Sequence, residues 1–284
     1  MHLINAAIAT LVAWMLLLAV EPLHLANTLF YFPNSTIYSV KTQLPTPARD
    51  VLFQSSDGTT LHGWFLTAKG DASAARGTIL HCHGNAQNLT SHVSQTHWLT
   101  QHGFNVFIFD YRGYGLSEGS PTRCGIHRDA NAALNVLRTL DGVDPERIVV
   151  LGQSLGGAIA AALVGEGNQE GVRGLVIDGS FASYVSVANA TLGDSPLTLP
   201  LVNRLVCDTH APAASLAQLG DIPLIVIHGT LDPIVPISEG RELYDSATEP
   251  KEFWEVREAH HMNVFSLRPD IRQRLVEKLT AWCK

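Results

Sequence analysis

Residues 147–163, RIVVLGQSLGGAIAAAL, constrain this chain more tightly than any other stretch. An apolar, β-branched run from Ile148 to Leu151 meets Gly152-Gln153-Ser154-Leu155-Gly156, and a helix of small residues follows at once. A strand can pass into a helix over so few residues only where the two backbones approach closely, which the glycines permit. The central serine is then held in a strained turn with its hydroxyl pushed outward. Ser154 is therefore the candidate nucleophile. A second match to the same pattern, Gly115-Leu116-Ser117-Glu118-Gly119, lacks this context. It lies several residues past the strand Val106 to Asp110 and runs into Gly119-Ser120-Pro121, which is loop chemistry, so Ser117 reads as a turn serine.

The surrounding pattern alternates strands and helices. Val51 to Gln54 and Leu61 to Leu66 flank Asp57-Gly58, a hairpin signal. Strands are expected at Thr78–Cys82, Val106–Phe109, Leu175–Asp178, Leu224–His228 and Phe253–Val256. Helices are expected at Asn88–Gln101, Ile126–Leu140, Ile237–Ser246 and Pro269–Trp282. Repeated β-α units after a hairpin imply an α/β fold with a mostly parallel central sheet and helices on both faces. Continuously apolar runs such as Ile148–Leu151 suit strands buried on both sides. Residues 181–220 break the rhythm with Pro196, Pro200 and Pro212, and a segment this long between two strands is expected to be a cap-like insertion.

A serine hydroxyl needs a neighbouring base, and the base needs an orienting carboxylate. In strand-elbow-helix sites the chain order is serine, acid, histidine. Asp232, in a loop at the carboxyl end of the strand ending at His228, is the candidate acid, and Asp178 at the end of an earlier strand is the alternative. The base must follow, and residue chemistry alone leaves both His260 and His261 open. Oxyanion donors are expected from the backbone N–H of Leu155, next after the nucleophile, and from Asn85 in the loop after the strand ending at Cys82. His83 in that loop reads as a structural hydrogen-bonding residue.

Other chemistries find less support. The 13 histidines include His81-x-His83 and His260-His261, but no HExxH or carboxylate-histidine ligand spacing accompanies them, so no metal is expected. No GxGxxG opens a helix after a strand, and no cofactor is expected. A net charge of −7 without any basic run argues against nucleic acid. The four cysteines, Cys82, Cys124, Cys207 and Cys283, are scattered and contain no CxxC.

Residues 3–20, LINAAIATLVAWMLLLAV, carry no charge. Together with the apolar and aromatic residues up to Phe32 they suggest an uncleaved, single-pass transmembrane helix over residues 1–32. The lack of Lys or Arg before the apolar core argues against a cleaved signal peptide. The first Lys is Lys41 and the first Arg is Arg49, so charge specifies no orientation. Residues 33–48, with Pro33, Pro45 and Pro47, read as a linker, and residues 49–284 as the globular domain.

These features together resemble the α/β-hydrolase superfamily, and more closely the YfhR-like (Bem46-type) bacterial membrane-anchored serine hydrolases. The resemblance rests on DGTTLHGWF at 57–65, HGNAQN at 83–88, NVFIFDYRGYGLSEG at 105–119, LGQSLGG at 151–157, DGSFASY at 178–184 and HGTLDPIVP at 228–236. In that family the base precedes a short segment ending in Phe, and His261-Met262-Asn263-Val264-Phe265 has that register, which favours His261. Ala259-His260 departs from the Gly-rich approach common there. The resemblance implies an α/β-hydrolase fold and a serine hydrolase of esterase or thioesterase type; the expected anchor and apolar cap suggest small-molecule or lipid acyl substrates near a membrane. An acyltransferase or lactonase with the same triad, and a non-catalytic scaffold of the same fold, are the alternatives.

Overall fold

A computed structural model describes residues 30–70, 72–192 and 206–284. Eight strands form one sheet in the order β1-β2-β4-β3-β5-β6-β7-β8. They are β1 (Ala48–Gln54), β2 (Thr60–Leu66), β3 (Gly77–Cys82), β4 (Phe104–Phe109), β5 (Ile148–Gln153), β6 (Val172–Asp178), β7 (Leu224–Gly229) and β8 (Lys251–Val256). The first two pair as an antiparallel hairpin turning at Gly58 (φ 84°), and β2 runs antiparallel to β4. All later pairings are parallel, as the β-α rhythm implies.

The central strands are buried on both faces, and their side chains alternate between two cores. Ile148 and Val150 join the core beneath α2 (Arg123–Leu137) and α3 (Leu155–Gly165). Val149 and Leu151 face the other side, where Leu275 and Leu279 of the closing helix Pro269–Trp282 pack with Trp98 and Phe265. Burial of this kind is worth about 25 cal/mol per Å² of apolar surface and supplies most of the drive to fold.

The helix expected over Asn88–Gln101 is broken. It is a single turn, α1 (Leu89–His92), followed by 3-10 turns at Val93–Gln95 and His97–His102. Serine and threonine hydroxyls take over carbonyls in this stretch. Ser94 Oγ donates to Ser91 O at 3.0 Å, and Thr100 Oγ1 donates to His97 O at 2.7 Å. Such local bonds compete with the α-helical ladder.

Of the expected 181–220 insertion, α4 (Tyr184–Leu192) and α5 (Pro212–Leu216) are described. Asp208 folds the end of the insertion onto its start, accepting from the Tyr184 N–H and from Ser183 Oγ, both at 2.9 Å. Downstream lie α6 (Ile237–Ser246), α7 (Val264–Leu267) and α8 (Pro269–Trp282).

Among the described residues no helix is long and apolar enough to cross a membrane. The anchor expected over residues 1–32 falls outside them except for Phe30, Tyr31 and Phe32. Tyr31 is only 4% exposed and belongs to the globular core. Residues 30–40, Tyr31 among them, run as a strap across the face of the domain that carries the loop after β3.

Candidate active site

The strand-to-helix turn after β5 places Ser154 at φ 53°, ψ −121°. A non-glycine residue held there stores on the order of 1–3 kcal/mol, which the neighbouring elements must offset. Close packing fixes the flanking glycines. A Cβ on Gly152 would lie 2.2 Å from Gly156 O, and one on Gly156 would lie 2.0 Å from Cys82 O. Strand, turn and helix are thus pressed against β3, and the Ser154 hydroxyl is directed out at the carboxyl edge of the sheet.

Ser154 Oγ lies 2.9 Å from His261 Nε2, and His261 Nδ1 lies 2.7 Å from Asp232 Oδ2. The carboxylate can only accept, so Nδ1–H donates to it. Nε2 then accepts from the serine hydroxyl. Asp232 Oδ1 accepts from the Ile234 and Val235 N–H groups, each at 2.9 Å, which locks the carboxylate in its loop. Burial alone would raise the Asp232 carboxyl, but the His261 contact and these two N–H groups outweigh it and hold its pKa below the ordinary value. His228, buried and kept neutral by that burial, donates from Nε2 to Val235 O at 2.9 Å and props the same turn.

The chain folds so as to separate the two candidate bases. His260 is exposed, and its backbone N–H donates to Asn263 Oδ1 at 2.8 Å, while His261 turns inward to the serine. Asp178 does not reach the histidine. Its backbone carbonyl accepts from the Ser154 N–H at 2.9 Å, and its Oδ2 accepts from Gln153 Nε2 at 2.8 Å. Its other oxygen has no partner among the described residues, and burial pushes its pKa up to about 6.

Leu155 is the first residue of α3, so its N–H has no partner within the helix and stands beside the nucleophile. Asn85 lies in the turn after β3, followed by Ala86 and Gln87 at φ 61° and 58°. Neither the Leu155 nor the Asn85 N–H is engaged in a hydrogen bond among the described residues. His83 is fully buried. Its Nδ1–H donates to Gly84 O at 2.7 Å, and its Nε2 lies 3.4 Å from Asp110 Oδ1. Ser117 sits in a turn, donating to Asp110 O at 2.7 Å and accepting from the His62 N–H at 3.0 Å.

Three features escape a reading of the motifs. First, a buried polar chain crosses the sheet behind the elbow. Thr96 Oγ1 donates to His81 Nδ1 (2.9 Å), His81 Nε2–H donates to Gln153 Oε1 (3.2 Å), and Gln153 Nε2 donates to Asp178. Burial depresses the His81 pKa and leaves it neutral, which fits this single direction of donation. Its trace in the sequence is His81, a titratable residue inside a buried strand. Second, Arg112 is clamped by the buried Asp129 at 2.7 Å and by Asp57 at 2.9 Å, fixing the loop that carries Tyr111 and Tyr114. Third, His127, Glu166 and His210 gather in one cluster. Their ligand atoms lie within 4.8 Å of one another, and the two imidazoles are stacked 3.9 Å apart and 20° from parallel.

Over 244 residues the chain is 38% identical to YfhR of Escherichia coli K12, spanning 86% of this chain and 82% of YfhR. The chain belongs to the YfhR family of α/β-hydrolases. It is also 28% identical to the bem46 protein of Schizosaccharomyces pombe over 217 residues, 74% of this chain and 71% of that protein. The sequence model of the family described as serine aminopeptidase, S33, matches residues 73–206. Among solved structures, a Pyrococcus furiosus esterase superposes with a TM-score of 0.72 over 89% of this chain and 100% of its own, at 22% identity. That likeness fixes the fold of this YfhR-family chain as the α/β-hydrolase fold.

Proposed function

We propose that this protein is a serine hydrolase that cleaves carboxylic ester or thioester bonds through an acyl-enzyme. The observation that carries the reading is the Ser154–His261–Asp232 relay, at 2.9 and 2.7 Å, on a strained elbow at the start of a helix. Ser154 Oγ forms a bond to the substrate carbonyl carbon while its proton passes to His261 Nε2. The carbonyl electron pair moves onto oxygen, where the Asn85 and Leu155 N–H groups receive it. Collapse of that intermediate expels the alcohol or thiol, which takes the proton from His261. Water then attacks the acyl-enzyme by the same path and regenerates the serine. Asp232, ionised throughout the neutral range, holds the imidazole tautomer and stabilises the imidazolium. No step requires a cofactor.

The substrates proposed are acyl or lipid-type esters met at a membrane to which the apolar N-terminus, residues 3–20, anchors the chain. Support comes from the strap that follows, which carries Phe32, Ile37 and Val40 at 55%, 69% and 45% exposure beside Leu116 at 71%. Ile37, Val40 and Leu116 line one cavity of about 320 Å³, which is separate from Ser154 and His261. The insertion at 181–220 is the proposed cap over the acyl chain.

Turnover of p-nitrophenyl esters of increasing acyl length, with Ser154→Ala alongside and an aminoacyl p-nitroanilide as the amide counterpart, tests the reading. Ester turnover that vanishes in the variant and shows a chain-length optimum supports it. Ester turnover that survives in Ser154→Ala, or preference for the anilide, overturns it.

A further inference from the structure

The loop after β3 bears the proposed oxyanion donor, the Asn85 N–H, and it is not a self-supporting turn. Ala86 and Gln87 are two successive non-glycine residues in the left-handed region, a conformation that neighbouring groups must hold in place. The groups that hold it come from the strap, more than fifty residues earlier in the chain. The Asn85 carboxamide donates from Nδ2 to Phe30 O, and its Oδ1 accepts from the Phe32 N–H at 3.1 Å. The same Oδ1 also accepts from Tyr114 OH at 2.8 Å and from the Ala86 N–H at 2.9 Å. Three residues on, Asn88 Nδ2 donates to Asn34 O at 3.0 Å and to Thr36 O at 2.8 Å. Pro33 forms a parallel bridge with Gln87, and the Tyr38 N–H donates to Thr90 Oγ1 at 3.0 Å.

The strap is itself tied down. Tyr31 is buried in the core, and the Phe30 ring stands edge-on to Tyr184 of α4 at 6.0 Å. The Arg123 guanidinium lies 3.5 Å from the centre of the Tyr184 ring and 5.6 Å from that of Phe30. One short segment therefore touches the oxyanion loop on one side and the first helix of the insertion on the other.

We propose that residues 30–38 of the strap are a positioning element of the active site. It aims the Asn85 N–H at the developing oxyanion through the side-chain amides of Asn85 and Asn88. The inference rests on the serine-hydrolase reading above. A backbone donor works only when pointed at the oxygen of the intermediate, and full loss of one costs about 10²–10³ in kcat. The side chains of Asn85 and Asn88 touch no substrate. They act through the direction of a backbone N–H that survives any substitution except proline.

The test uses the full chain and three variants. Asn85→Ala keeps the N–H and removes the grip of Phe30, Phe32 and Tyr114. Asn88→Asp keeps the acceptor that caps the Thr90 N–H at 3.0 Å but turns the donors facing Asn34 O and Thr36 O into an acceptor. Tyr114→Phe removes a single oxygen and preserves the packing, so it remains informative if the others fold poorly. Steady-state kinetics on the best p-nitrophenyl ester are compared with affinity for a trifluoromethyl ketone, whose adduct with Ser154 carries the oxyanion. Active sites are counted by fluorophosphonate labelling. The expected result is a fall in kcat of about 10- to 100-fold for Asn85→Ala and Asn88→Asp and several-fold for Tyr114→Phe. KM should change by less than about threefold, and ketone affinity should fall in step with kcat/KM. Folded variants with kcat within twofold of wild type overturn the proposal. So does a loss confined to the number of active sites or to melting temperature, because the strap would then be scaffold alone. Folded wild-type protein without turnover, or turnover indifferent to Ser154→Ala, removes the serine-hydrolase reading itself and the positioning role with it.

Discussion

The two halves of the candidate site are built by opposite means. The nucleophile half is local: Ser154 is strained by its own strand and helix, and Gly152 and Gly156 admit that strain within five residues. The oxyanion half is borrowed, since the left-handed turn at Ala86 and Gln87 is held by the strap and by Tyr114. Local strain depends on the strand and helix that flank the serine, a context the second motif match at Ser117 lacks. A borrowed conformation depends on a segment that has to arrive from elsewhere in the chain, and it can be weakened without touching the nucleophile.

Substitutions at the relay give the largest separation between the halves. Ser154→Ala is expected to lower kcat by about 10⁴-fold or more while leaving the fold and substrate affinity intact, as ester hydrolysis and thermal melting in parallel would report. Asp232→Asn leaves a neutral amide beside His261 Nδ1 and favours the wrong tautomer. A fall of about 10³–10⁴-fold in kcat with unchanged KM is expected, and a loss under tenfold would show that the carboxylate does not orient the base.

The borrowed half has its own foundation in the Arg112–Asp129 pair. Asp129→Ala strands a guanidinium that is 7% exposed, with only Asp57 and Ser55 left to it. Removing one partner of a buried pair typically costs about 3–5 kcal/mol, which chemical denaturation would register. If the comparison holds, the surviving folded fraction loses kcat through the Tyr114 loop while fluorophosphonate still labels Ser154.

The smallest effect belongs to the nucleophile half. Asp178 is held at about 6, above its ordinary 3.8, by burial. The native state therefore grips this proton more tightly than the unfolded chain does. The associated stability is fully present below about pH 4 and is lost as pH rises through about 6. Asp178→Asn retains an acceptor for Gln153 and never ionises, so its melting temperature relative to wild type should rise by a few degrees between pH 4.5 and pH 8. A difference that does not vary with pH would place the charge elsewhere.

The same contrast explains what a sequence can disclose. The elbow, the hairpin at Asp57-Gly58 and the parallel β-α order are encoded by neighbouring residues, and the fold follows them. Chain order after Ser154 admits Asp232 or Asp178 as the acid and His260 or His261 as the base; the resemblance favours His261, and the loops after β7 and β8 bring Asp232 and His261 to Ser154. The strap is divided in sequence between two other readings, Phe30 to Phe32 as the end of the anchor and residues 33–48 as a linker, because Pro33, Pro45 and Pro47 read as loop chemistry. Its bonds run through backbone groups of Phe30, Phe32, Asn34 and Thr36, which leave no side-chain signature. The interrupted helix at residues 89–102 is hidden for a related reason: propensity counts side chains singly, whereas the break comes from several hydroxyls acting on nearby carbonyls. The chain from Thr96 to Asp178 needs three strands side by side before its members can meet.

The strap has a mechanical consequence as well. Phe30 is the first described residue, and its own carbonyl accepts from the Asn85 side chain. A load drawn through the N-terminus would reach that hydrogen bond and the Phe32 contact before any strand of the sheet, whose first residue is Ala48. A pull on Phe30 and Phe32 themselves is thus a pull on the turn at Ala86 and Gln87, with the hairpin of β1 and β2 lying further along the chain.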